Sequence, residues 1–205
     1  INSLRNIFLW WYPCTNAMID EKLAVIDLII DQFPDTGWQL LTSLLPEARQ
    51  SISNGTATPI WRDFGEIPGE ALSRSGQFRY VSGIIDRALK YVGSDAKRWK
   101  AVLDSMSVFH PTEQERILYL LEQIAISEIS AVKKAELWEV LREFVYQNQV
   151  YHEADWALEN DLLDRIEKIL PQLASEDPVE RNHWLFDDWL PDPISDNNGN
   201  KQEKE

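Results

Sequence analysis

Along most of this chain the apolar residues recur at three- and four-residue intervals, the spacing that lines one face of an α-helix. Asn2 to Trp11 reads as the end of a helix stopped at Tyr12-Pro13. From Ile19 to Gln32, Leu23, Ile26 and Ile30 share a face that Phe33 extends, and Asp20, Asp27 and Asp31 lie on the other side. Pro34 ends that helix. A second is predicted from Gly37 to Leu45, with Asp35 or Thr36 capping its free N–H groups, and it stops at Pro46. The turn between the two is short, so they should form an antiparallel hairpin.

The same period returns further on. Phe78 to Val92 carries Val81, Ile84, Ile85, Ala88 and Leu89, and Gly93-Ser94 makes the turn. Asp95 to Val108 carries Trp99, Val102, Leu103 and Met106, up to a boundary at His110-Pro111. Thr112 and Glu115 have the spacing of a capping box, in which each side chain satisfies the other's backbone N–H, opening a helix with Ile117, Leu118, Leu121 and Ile124. Another helix begins near Ser127 to Ser130 and runs to about Gln149 through Leu137, Trp138, Leu141, Phe144 and Val145. Leu162, Leu163, Ile166, Ile169 and Leu170 mark one more, and Pro178 opens a short last helix through Trp184 to Trp189. No clean period-two run of β-branched residues is bracketed by a hairpin turn. The expected fold is therefore all-α, with antiparallel helical hairpins stacked as a short α-solenoid or closed as a helical bundle. The later pairs recur at about 35 to 40 residues, the length of helical-hairpin repeats, without a strict sequence repeat.

Two stretches leave the pattern. Residues 46–70 contain the small, polar run from Ser51 to Pro59, then Trp61, Arg62, Asp63 and Phe64, and read as a long loop whose aromatics pin it to the helices. From Pro191 the chain is polar without apolar period, the pattern of a disordered tail or linker. The expected organisation is one helical domain over residues 1–190 and an acidic tail over 191–205. The chain opens at Ile1 directly on an apolar segment, which reads as a piece of a longer polypeptide or a processed one.

Composition narrows the partners. The 205 residues are 44% hydrophobic and 26% charged, a globular balance. Twenty basic and 34 acidic side chains leave a net charge of −14, and the stretch from Val150 onward holds most of that excess. Such a chain is repelled by the nucleic-acid backbone and by anionic lipid, and the one basic cluster, Lys90, Lys97, Arg98 and Lys100, is small. The apolar run from Ile7 to Tyr12 is too short to span a bilayer and has neither flank of a signal peptide. A lone cysteine, Cys14, excludes an intramolecular disulfide and fits a reducing, cytoplasmic setting.

No catalytic set is legible. The chain has no Gly-rich phosphate loop, no nucleophile elbow and no HExxH zinc motif. His110, His152 and His183 lie far apart, and His152 with Glu153 and Asp155 reads as the polar surface of a connection before it reads as a metal or hydrolytic site. No catalytic residue, cofactor or metal is expected. Nine tryptophans are the unusual feature. Trp38, Trp99 and Trp138 fall on core-facing helical positions, whereas Trp61, Trp156, Trp184 and Trp189 fall in or near connections, where tryptophan often anchors a partner. The expected contact residues are accordingly Trp61, Arg62, Asp63, Phe64, Trp156, Trp184 and Trp189.

The segments IFLWWYPCTNA, GWQLLTSLLPE, ATPIWRDF, HEADWALEND and DPVERNHWLFDDW together resemble the helical, α-solenoid region of large bacterial multidomain proteins such as the STAND-type signal-transducing NTPases of antiphage defence. The resemblance spans about Ile7 to Trp189 and rests on packing patterns. It implies a cytoplasmic sensor or scaffold region, distant from any nucleotide site, that binds protein: other domains of its parent chain or a separate protein. The nucleotide-binding segment of that family is not in this sequence, so no activity carries over. The function expected from the sequence is a non-catalytic protein–protein interaction or regulatory module; a hydrolytic enzyme built from scattered carboxylates and His152, and a purely structural spacer, are the alternatives.

Overall fold

The computed structural model describes residues 2–9, 15–46 and 73–182. The loop expected beyond Pro46, the contact residues Trp61 to Phe64, Trp184 and Trp189, Cys14, His183 and the tail from Pro191 lie outside the described residues. Among those described, all regular structure is helical and there is no strand. In chain order the helices are α1 (Asn2–Phe8), α2 (Ile19–Gln32), α3 (Pro34–Leu44), α4 (Arg74–Val92), α5 (Ala96–Leu103), a 3-10 turn (Met106–Val108), α6 (Pro111–Ile126), α7 (Ala131–Val150), α8 (Asn160–Leu173) and α9 (Pro178–Asn182). No helix among them is long and apolar enough to cross a membrane.

Helix α2 starts where the periodicity places it. Glu21, in its first turn, accepts the Met18 backbone N–H at 2.8 Å, so a first-turn carboxylate offsets the positive end of the helix. Helix α3 begins three residues before Gly37, and Asp35 and Thr36 do not cap it. Pro34 takes the first helical position, where its missing N–H costs nothing, and Phe33 becomes the cap residue. The Thr112–Glu115 capping box fails for the same reason. Pro111 opens α6, placing Thr112 inside the first turn, and the Thr112 N–H points back to His110 Nδ1 at 3.3 Å. Helix α4 starts four residues early, because Ser73 caps it by accepting the Gly76 N–H at 3.0 Å. The single helix expected over Asp95–Val108 stops at Leu103 and resumes as the 3-10 turn. Asp104, Ser105 and Ser107 are poor helix formers that favour such a break.

The described helices gather into two compact units. The first holds those of Ile1–Gly93 together with Ala101–Glu115, and the second holds those of Ser94–Lys100 and Arg116–Glu205. In the first unit α2 packs on α3 as the predicted hairpin, α4 packs on both, and α1 packs on α3. Contacts of this kind occur in stacked hairpins and in bundles alike, and the all-α class is what they share. Ile26, Ile30, Leu40, Leu41, Leu44, Ile84 and Ile85 are buried in this unit. In the second unit α7 and α8 form the hairpin, with Leu137, Leu141, Val145, Ile166 and Ile169 buried.

Glycine sets two of these approaches. A Cβ on Gly37 would stand 2.6 Å from the Ile30 Cα, so the α2–α3 hairpin closes only because that position has no side chain. A Cβ on Gly83 would meet the Leu23 Cδ1 at 2.7 Å, but this is the free end of a flexible side chain. Helix α1 has seven residues, too few to be stable by itself. Side chains from other helices tie it down. Arg5 Nε donates to the Ser43 carbonyl at the end of α3 at 2.8 Å, and the buried Tyr80 hydroxyl of α4 donates to the Phe8 carbonyl at 2.8 Å. Burial raises the Tyr80 pKa above the ordinary phenol range, with the Arg87 guanidinium pulling the other way.

The Gly37→Ala variant is expected to lose about 1–3 kcal/mol in urea denaturation, because the added methyl meets backbone. Gly83→Ala should stay within about 1 kcal/mol of the parent, since Leu23 can turn aside and alanine favours the helix. Tyr80 makes the protein sensitive to alkali. Its folded pKa is raised, so its stabilising effect is full below about pH 10, the unfolded phenol value, and falls as pH climbs above it. Urea midpoints measured from pH 8 to 11 should decline above about pH 10 in the parent. The Tyr80→Phe variant should start lower by about 1 kcal/mol and decline less steeply.

A candidate binding groove beside α4

One face of α4 borders a cavity among the described residues. Arg74, Gln77, Phe78, Val81, Ser82 and Ile85 recur at helical spacing along it, and Val108, Phe109, His110, Glu113 and Pro46 face them across a cavity of about 380 Å³. That volume lies in the range of small-ligand and side-chain pockets. The floor is apolar, while Phe78 and Val108 stay substantially exposed at the mouth. The Phe78 and His110 rings meet edge to face with centroids 5.7 Å apart. Gln114 Nε2 donates to the Met106 carbonyl at 3.0 Å and ties the 3-10 turn to α6, which holds the far wall in place.

The polar groups of the groove are positioned by each other. Ser82 Oγ donates to Glu113 Oε1 at 2.8 Å, and Glu113 is buried in the first turn of α6, where the helix end favours a negative charge. His110 Nδ1 lies 3.1 Å from Thr112 Oγ1. A serine, a histidine and a carboxylate therefore line one cavity without forming a nucleophile relay. The serine hydroxyl is spent on the carboxylate, and the imidazole turns to Thr112, not to the serine.

Of the residues singled out in the sequence, Trp156 is the one contact candidate among those described. It is half-buried in the second unit, its ring 6.0 Å from that of Tyr151. The connection carrying it is fixed by Asn148, a buried side chain that accepts the Leu158 N–H at 2.9 Å and donates to the Phe144 carbonyl at 2.9 Å. His152, Glu153 and Asp155 are exposed, and His152 Nδ1 sits 3.2 Å from the Gln149 carbonyl. No group of three or more metal-ligating side chains occurs among the described residues. Of the core tryptophans, Trp99 is fully buried as expected. Trp38 and Trp138 are half-buried, and Trp138 lies under the Arg142 guanidinium, 5.7 Å from its ring centre. Three members of the small basic cluster are locally engaged: Lys100 pairs with Glu143 at 3.8 Å, Arg98 with Asp95 at 3.9 Å, and Lys90 lies over the Tyr91 ring.

The sequence did not reveal the groove. Val81 reads as a core position of α4 and Phe78 only as the start of its helix, and nothing in linear spacing joins Ser82 to Glu113. With this geometry in hand, the class defined is an all-α protein with an open apolar groove on its first unit. No protein-family model, curated protein or solved structure matches the chain.

Replacing Ser82 with alanine removes a donor from a buried carboxylate. A loss of about 1–3 kcal/mol in urea denaturation is expected, and Ser82→Thr, which keeps the hydroxyl, should recover most of it.

Proposed function

We propose that this protein is a non-catalytic interaction or regulatory module that receives an apolar side chain or short segment of a protein partner in the groove beside α4. The observation that carries this reading is the groove itself: an apolar floor, an exposed aromatic and an exposed valine at its mouth, and polar side chains at its edge. An aromatic or aliphatic anchor seated in such a pocket, with water excluded around it, is how protein interfaces concentrate their binding energy. The electrostatics favour protein over nucleic acid, since the chain carries a net charge of −14 and, of its few clustered bases, Arg98 and Lys100 are paired with acids. The stacked-hairpin architecture, a larger bacterial parent protein and a role in phage defence remain expectations of the sequence resemblance, and the groove reading does not depend on them.

Site-resolved photo-crosslinking tests it. A benzophenone side chain is placed at Gln77, on the groove wall, and in a second variant at Glu139, an exposed position of α7. Both are expressed as the whole chain in bacterial cells and irradiated. The expected result is a discrete adduct with another protein from position 77 and none from position 139. Equal labelling at both positions, or an adduct from position 77 confined to the chain itself, would contradict the reading.

A further inference from the structure

We infer that the outer side of α2 is a second docking face, shaped and charged to take a basic amphipathic helix of a partner protein. Helix α2 has three distinct sides. Ile19, Leu23, Ile26 and Ile30 are buried. A second side is engaged with α4: Arg79 Nη2 meets Asp20 Oδ1 at 2.5 Å, and Arg87 grips both oxygens of Asp27 at 2.8 and 2.6 Å. The third side carries Val25 and Leu28, 43% and 57% exposed, and the residues flanking the helix, Met18 before it and Phe33 past its end, are 51% and 60% exposed. The interval of three residues puts Val25 and Leu28 on one side of the helix, and Met18 and Phe33 extend the apolar surface at its two ends. Single exposed apolar residues are ordinary, but a row along one helix is the mark of a helix–helix contact surface.

The charges that the α2–α3 hairpin itself brings to this row are acidic, while the Arg79 and Arg87 guanidinium groups of α4 are paired with Asp20 and Asp27 on the helix's other side. Residues 15–46 contain five acidic side chains and a single base, Lys22. Lys22 is buried, its ammonium 5.8 Å above the Tyr80 ring. What the α2–α3 hairpin shows to solvent is therefore acidic only, with Glu21, Asp31 and Asp35 exposed beside the apolar row. A partner helix with leucine-like anchors at matching intervals and lysine or arginine on its flanks fits both features. Phosphate-bearing partners do not, because the same rim repels them. The face is separate from the groove, since α2 contributes none of the groove's walls.

The test uses the whole chain and a labelled leucine–lysine peptide designed so that its leucines line one helical face. Two control peptides are a scrambled version of the same composition and a version with glutamate in place of lysine. Fluorescence anisotropy should show binding of the first peptide that weakens with added salt, and no measurable binding of the glutamate version. A Val25→Ser, Leu28→Ser double variant changes exposed positions only, and circular dichroism and urea denaturation confirm that it folds as the parent does. It should bind the leucine–lysine peptide about tenfold more weakly, a difference of about 1.4 kcal/mol. Unchanged affinity in that variant, or equal binding of the scrambled peptide, would overturn the assignment. A Val81→Arg variant, altered in the groove, should bind the peptide as the parent does; loss there would move the peptide to the groove and overturn the α2 face while leaving the groove reading intact.

Discussion

The first unit is organised around one close approach, that of α3 to α2 at Gly37. Backbone meets backbone there, with no room for a Cβ beside Ile30. The consequences spread through the packing. Close approach lets Leu40, Leu41 and Leu44 reach the same core as Ile26 and Ile30, and this joined surface is what α4 packs against. A hairpin held further apart would leave α4 a looser surface, and interiors tolerate gaps poorly because dispersion contacts are lost outright.

Polar side chains then fix the directions that apolar packing leaves free. The α4 helix faces two ways. Tyr80, Gly83 and Arg87 look toward α1 and α2: the tyrosine takes up a carbonyl at the end of α1, the glycine accommodates Leu23, and the arginine grips Asp27. Phe78, Val81 and Ile85 look the other way, into the groove. The arrangement that seats α4 on α2 thus also decides which of its residues remain open. Rigid presentation of a partly apolar face by a buried, hydrogen-bonded helix limits the ordering cost of binding, and the proposed function draws on it.

The helical class was legible because it rests on local rules. Apolar spacing located α2 and α7 nearly to the residue, and Ser130 caps α7 by accepting the Lys133 N–H at 3.4 Å, as its type predicts. Boundaries failed where two capping signals competed. Proline at the first position outranked the Asp35, Thr36 and Thr112 side chains, because it removes an N–H that would otherwise need a partner. Periodicity also could not separate a face that packs from a face that waits. Phe78, Val25 and Leu28 have the same apolar character and spacing as buried neighbours, yet remain exposed. The groove belongs to tertiary structure: Ser82 and Glu113 are 31 residues apart, and only the packing of the first unit brings them together. Among the tryptophans, position alone ranked Trp38 and Trp138 with Trp99, whereas one of the three is fully enclosed.

On this packing α2, α3 and α4 should open as one cooperative unit built on the hairpin, with the groove and the outer α2 face as its exposed products. Native-state hydrogen exchange tests it most directly. The amides of Ile26, Ile30, Leu41, Ile84 and Ile85 should open with a common free energy, and Leu40→Ala, which empties a fully buried site of α3, should lower protection at all five by the same amount, about 2–5 kcal/mol. Protection that falls in α2 and α3 while α4 keeps its own would contradict the account, because α4 would then fold on a different foundation from the one described.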